Sequence, residues 1–140
     1  MTTGSHGAPD WAIAPPAGSP AGDTSIVNEF ERQLDVLFSG FNRKDVADAA
    51  RALHPDVDWP DLFGGARLRG PEAVQAMWAR QFGQFDTKVS PIALTPDGDD
   101  GVRARVNYVV RGLDGRLFNE ETATHLFRFR DGLIIRMTMV

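Results

Sequence analysis

Residues 125–137 read HLFRFRDGLIIRM. The Asp131-Gly132 pair splits two apolar runs and suits a tight hairpin turn, where positive φ is required. Before it, Glu121, Ala123, His125, Phe127 and Phe129 share one face, and Glu120, Thr122, Thr124, Leu126 and Arg128 share the other. After it comes LIIRMTMV, the last strand. A period of two marks strands with one buried face. The chain therefore ends in a β-hairpin whose aromatic face carries one imidazole.

The same period extends back to residue 87. Val102, Ala104, Val106, Tyr108 and Val110 alternate with Arg103, Arg105, Asn107 and Arg111. The segments DGDDG (97–101) and GLDGR (112–116) supply the turns around this strand. Residues 87–96, TKVSPIALTP, form another strand, edge-like at Pro91, which has no N–H to give a ladder.

Upstream the period changes. Ile26, Val27, Phe30, Leu34, Leu37, Phe38 and Phe41 recur every three or four residues, which predicts an amphipathic helix of about 16 residues. Asp23, Thr24 or Ser25 is expected to cap it, and Gly40 and Asn42 to end it. Asp45 opens a short second helix with Val46, Ala49, Ala50 and Leu53 on its inner face. Pro55 stops that helix by disfavouring helical backbone at His54. Val57, Trp59 and Asp61 alternate as a short strand. Gly70-Pro71-Glu72 then starts a third helix, proline being favoured in the first turn. Its apolar face is Val74, Met77, Trp78 and Phe82, with Phe85 next in line.

Helices first and hairpins last mean an α+β fold. The expected architecture is a cone-shaped α+β barrel, with three N-terminal helices packed in a curved, mostly antiparallel sheet. Such a cone keeps an open end, where a pocket forms. Residues 24–140 make one domain. Residues 1–23 hold four of the nine prolines and four of the fourteen glycines, without a period. They read as a flexible tail, from which Trp11 could fold back over the opening.

Hydrophobic residues are 42% and charged residues 24% of the 140, as in an ordinary globular domain. A net charge of −4 offers no electrostatic reason to expect nucleic acid or an anionic membrane. No cysteine is present, which excludes thiolate catalysis, disulfides and Cys-ligated zinc. The histidines, His6, His54 and His125, are too scattered for a metal site. The opening MTTGSHGAPD has neither a basic start nor an apolar stretch, so a cytoplasmic protein is expected.

Three motifs, LHPDVDWPDLFG (53–64), RGPEAVQAMWARQF (69–82) and HLFRFRDGLIIRM (125–137), occur in that order. Together they resemble the nuclear transport factor 2-like superfamily, which includes ketosteroid isomerases and SnoaL-like polyketide cyclases. The resemblance spans about residues 24–140. In ketosteroid isomerases a motif like E-D-P-F-G carries the base, and the matching P-D-L-F-G places Asp61 there. A strand motif like D-V-M-R-F carries an acid that holds the oxyanion, and H-L-F-R-F places His125 there. The tyrosine donor of the family's first helix falls on Leu37, a departure from the pattern.

Each candidate has two readings. Asp61, flanked by Trp59 and Phe63, is either a partly desolvated base or a side chain capping the Gly64-Gly65 turn. His125 is either a hydrogen-bond donor or proton shuttle, or a satisfied core histidine. Tyr108, the one tyrosine, either replaces the missing oxyanion donor or packs among valines. Trp59, Phe63, Trp78, Phe82, Leu37 and Phe127 form the wall of an apolar ligand pocket, or plain core. Arg103, Arg105, Arg111, Arg128 and Arg136 project from the outer sheet face, with Glu120 and Asn107 as expected partners. Similar proteins form homodimers through that face.

The resemblance implies a small isomerase or cyclase that moves a proton at carbon on an apolar carbonyl compound, polyketide-, terpenoid- or steroid-like, without cofactor or metal. Asp61 would be the base, and His125, with Tyr108, would stabilise the oxygen charge. The alternative is a non-catalytic ligand-binding or assembly domain of the same fold. Epoxide hydrolysis ranks third, because no inward arginine is flanked by two inward carboxylates.

Overall fold

The computed structural model describes residues 21–140, with side chains from residue 29 onward. Nine elements follow in order: α1 (Ala21–Asn42), α2 (Val46–Ala50), β1 (Leu53–Pro60), β2 (Arg67–Arg69), α3 (Pro71–Phe82), β3 (Phe85–Pro96), β4 (Gly101–Gly112), β5 (Leu117–Arg130) and β6 (Leu133–Met139). The strands form a curved, unclosed sheet in the order β2-β1-β6-β5-β4-β3, against which the helices pack. All neighbours are antiparallel except β1 and β6. This is the expected α+β cone.

Helix α1 lays Phe30, Leu34, Leu37, Phe38 and Phe41 into the concave side of the sheet. Phe30 stacks on Phe129 of β5 at 4.0 Å between centroids, and Phe38 meets Phe127 edge-on at 6.1 Å. Such aromatic pairs each contribute about 0.5–1.5 kcal/mol beyond their buried area. Trp78 of α3 sits edge-on to both Trp59 of β1 and Phe41 of α1, tying the third helix to this core.

Several local expectations change. Asp23, Thr24 and Ser25 lie inside α1 rather than capping it, because the helix begins earlier, at Ala21. The Trp11 expectation lies outside the described residues. Gly40 does not end α1. A Cβ there would sit 2.5 Å from the Ala49 backbone nitrogen, so this glycine lets α2 approach α1. Leu53 belongs to β1, not to α2, and is buried there. Phe85 opens β3 instead of extending α3, because the helix closes at Gly83. The short strand β2 was not foreseen, since three residues show no period.

Asn42 does end α1, and it has a second task. Its side-chain amide donates to the Val89 carbonyl at 2.8 Å and accepts from the Val89 N–H at 2.8 Å. One side chain thus imitates a strand neighbour and fixes the helix end to the outermost strand, β3. Pro91 lies on that edge strand beside a register shift, as its missing N–H requires.

Candidate functional site

The open end of the cone holds a cavity of about 590 Å³, within the usual range of roughly 300–1,000 Å³ for small-molecule sites. Every layer contributes. Leu37, Phe38 and Phe41 come from α1, Trp59 and the following Pro60-Asp61-Leu62-Phe63 turn from the end of β1, and Met77, Trp78 and Gln81 from α3. The sheet adds Phe85, Thr87 and Val89, Tyr108 and Val110, Asn119, Glu121, His125 and Phe127, and Met137 and Met139. The wall is mostly apolar. Among the described residues, no lysine or arginine lines it.

Tyr108 and His125 form the polar centre. The hydroxyl and Nε2 are 2.6 Å apart. His125 is 4% exposed, and burial lowers its pKa to about 4, so the ring is neutral at pH 7. Burial raises the Tyr108 pKa, and the nearby Glu121 charge raises it further, so the phenol keeps its proton. Two neutral groups share one hydrogen bond. Either the phenol donates to bare Nε2, or Nε2–H donates to the phenol oxygen and leaves the phenolic proton free to face the cavity.

Asp61 is both a turn cap and part of the cavity wall. Its Oδ1 accepts the Phe63 N–H at 3.0 Å, and its backbone accepts the Gly65 N–H at 3.3 Å. Oδ2 lies 2.5 Å from where a Cβ on residue 64 would stand, so any larger residue there would push the carboxylate aside. The Arg80 guanidinium lies over the Phe63 ring at 4.2 Å and steadies the rim beside it.

Of the residues singled out from the sequence, Leu37, Trp59, Asp61, Phe63, Trp78, Tyr108, His125 and Phe127 line this one cavity. Phe82 does not. It faces away, packing on Phe41 at 4.9 Å under Lys44. Glu121 was overlooked as a site residue. It lines the cavity, accepts from Asn119 at 2.9 Å and sits near the Tyr108 hydroxyl. The signal was there: it lies four residues before His125 on the same strand face. Gln81 and Thr87, joined at 3.3 Å, were overlooked as well.

Arg103, Arg128 and Arg136 of the outer face pair with aspartates rather than with Glu120, and Arg111 donates to the Gly115 carbonyl. Arg103 and Arg128 hold Asp97, Arg128 also holds Asp100, and Arg136 holds Asp58. Asp97 and Asp100 lie in the β3–β4 turn and Asp58 stands opposite Arg136 on β1, whereas Glu120 is taken by Asn107 at 3.3 Å. Among the described residues no three His, Asp or Glu side chains converge as metal ligands, and no helix is long and apolar enough to cross a membrane.

Residues 34–137 match the family model of the SnoaL-like domain. The chain belongs to the SnoaL-like family. With it comes the nuclear transport factor 2-like superfamily and its cone fold. No curated protein sequence matches the chain. Solved structures similar to this SnoaL-like domain share its fold at low identity. One from Sinorhizobium meliloti, described as a candidate polyketide cyclase, is 24% identical, with a TM-score of 0.63 over 83% of this chain and 94% of its own. An LEH-like epoxide hydrolase from Mycobacterium tuberculosis is 20% identical, with a TM-score of 0.66 over 80% and 83%. A second protein from that organism, solved with estradiol-17β-hemisuccinate, is 17% identical, with a TM-score of 0.69 over 79% and 92%.

Proposed function

We propose that this SnoaL-like domain is a cofactor-free acid–base enzyme, an isomerase or cyclase acting on an apolar polyketide-, terpenoid- or steroid-like ketone. The observation that carries the reading is the Tyr108–His125 pair, 2.6 Å apart, in the wall of the same apolar cavity as Asp61. A ketone entering the cone would rest its rings on Trp59, Trp78 and Phe127 and present its oxygen to Tyr108. His125, neutral and donating from Nε2, turns the phenolic proton toward that oxygen. Asp61 takes a proton from the carbon next to the carbonyl, and the electron pair moves onto the oxygen. Hydrogen bonding to the enolate strengthens as charge develops, an effect worth roughly 10²–10³ in rate per donor. Asp61 then returns the proton at another carbon, or the enolate carbon attacks a second carbonyl and the new alkoxide is protonated. The apolar wall excludes water and strengthens both interactions. The polyketide cyclase description of one relative and the steroid ester bound by another support this substrate class.

Turnover of a panel of cyclic enones and polyketide-like ketones tests the reading. Activity that falls strongly in D61N and Y108F, with ligand affinity retained, supports it. A second reading, a non-catalytic binding domain, draws on the commitment of Asp61 Oδ1 to the Phe63 N–H. It predicts binding of the same ketones with no turnover to lose. The proposal includes a homodimer through the outer sheet face, which sedimentation of the purified chain checks.

A further inference from the structure

The cavity has a charge pattern that narrows its ligand further. Asp61 stands on one side, at the turn after β1, and Glu121 on another, on β5. Nothing cationic balances them from the wall among the described residues. The Arg80 guanidinium lies across the Phe63 ring rather than in the wall. Lys44 is taken up on the far side of Phe82 and by Asp86. The remaining polar groups are neutral: Gln81, Thr87, Tyr108 and Asn119, with His125 uncharged above its low pKa of about 4. The aromatic faces of Phe38, Trp59, Trp78 and Phe127 present partial negative charge to whatever they enclose. An anion entering this space would lose its hydration and meet two carboxylates and several ring faces, with no ion-pair partner.

We infer that the cavity takes ligands without negative charge, and that Glu121 is the residue that turns carboxylates away. The inference rests on the proposed reading only in taking the cavity as the ligand site; it needs no turnover. It narrows the substrate to an uncharged ketone or its amine-bearing analogue. Carboxylates, phosphates and acyl carriers that enter phosphate first are excluded. Glu121 suits the task because it is exposed, is held by Asn119 at 2.9 Å, and leaves a second oxygen free.

Three naphthalene probes of similar shape test this at pH 7.5: 2-acetylnaphthalene, 2-naphthoate and 2-naphthylmethylammonium. Binding is read from the fluorescence of Trp59 and Trp78, with W59F and W78F variants to place the signal. The expected result is naphthoate binding about tenfold or more weaker than the ketone, from repulsion by the two lining carboxylates, with the ammonium probe at least as tight as the ketone. In E121Q the ketone-to-naphthoate affinity ratio falls by about fivefold. Naphthoate binding as tightly as the ketone overturns the inference, as does a ratio that E121Q leaves unchanged; neither touches the proton-transfer reading. Failure of all three probes to bind overturns the inference and the ligand-cavity reading together. The expected charge ranking in a protein that turns over no ketone leaves the inference standing and removes only the enzymatic reading.

Discussion

The Tyr108 hydroxyl lies 2.6 Å from His125 Nε2, although the two residues are not register partners. On the β4–β5 ladder Tyr108 stands opposite Glu121, and His125 stands opposite Ala104. The two side chains meet diagonally on one face of the sheet, across the intervening Val106–Ala123 pair. Tyr108 is therefore placed between a neutral imidazole and a carboxylate, and its burial, with the Glu121 charge beside it, keeps its proton in place.

Y108F removes the hydroxyl and leaves His125 Nε2 buried without its partner. The expected loss of stability is about 1–2 kcal/mol, measured by urea denaturation. If Tyr108 is the oxyanion donor, kcat on a responsive ketone falls by roughly 10²-fold or more while KM changes little.

D61N keeps an oxygen that accepts the Phe63 N–H, so stability should change by less than about 1 kcal/mol, while D61A loses the cap and about 1 kcal/mol. Turnover should collapse in both. The same carboxylate explains Gly64. G64A displaces Oδ2 and should weaken the cap on the Phe63 N–H, at a cost of about 1 kcal/mol. In D61A/G64A that penalty should be largely relieved, a coupling that a double-mutant cycle measures directly.

N42A removes both hydrogen bonds that join α1 to Val89. The expected cost is about 2–3 kcal/mol, because the edge-strand N–H and C=O of Val89 lose protein partners together. Amide exchange at Val89 should accelerate more than at Val106, which lies deeper in the sheet.

Two buried groups tilt stability in opposite directions with pH. His125 has a folded pKa of about 4, below its usual 6.5. The unfolded chain binds more protons, so its contribution is complete above pH 6.5 and is lost as pH falls toward 4. Glu31 is buried, and its pKa is raised by desolvation from 4.5 to about 7. Its contribution is complete below pH 4.5 and is lost as pH rises through 7. Between pH 4.5 and 6.5 the two largely cancel. E31Q should expose the histidine slope, with stability rising by roughly 2–3 kcal/mol across that window. Urea midpoints of wild type and E31Q at several pH values check this; parallel curves would contradict it.

Much of the cone was legible in the sequence. The period of two in β4 and β5, the Asp131-Gly132 turn and the Gly70-Pro71 helix start are local signals, set by backbone sterics and by which face meets the core. Asp131 and Gly132 do take positive φ, 55° and 78°. The family motifs likewise single out Asp61 and His125, which line one cavity.

What the sequence determined by itself was which face each residue takes and where the chain turns. What the tertiary structure decided was which side chains meet. Alternation puts Glu121 and His125 on one face but cannot give the register between strands, so the Tyr108–His125 bond and the pairing of Glu121 with Tyr108 were not readable. Helical spacing puts Phe82 on the same stripe as Trp78, yet the rotation of α3 against Phe41 turns Phe82 away from the cavity. Asp61 needed both levels. Its turn is local, written in the Asp-Leu-Phe-Gly sequence, while its place in the cavity wall arises only when β1, α3 and the curved sheet close around one space.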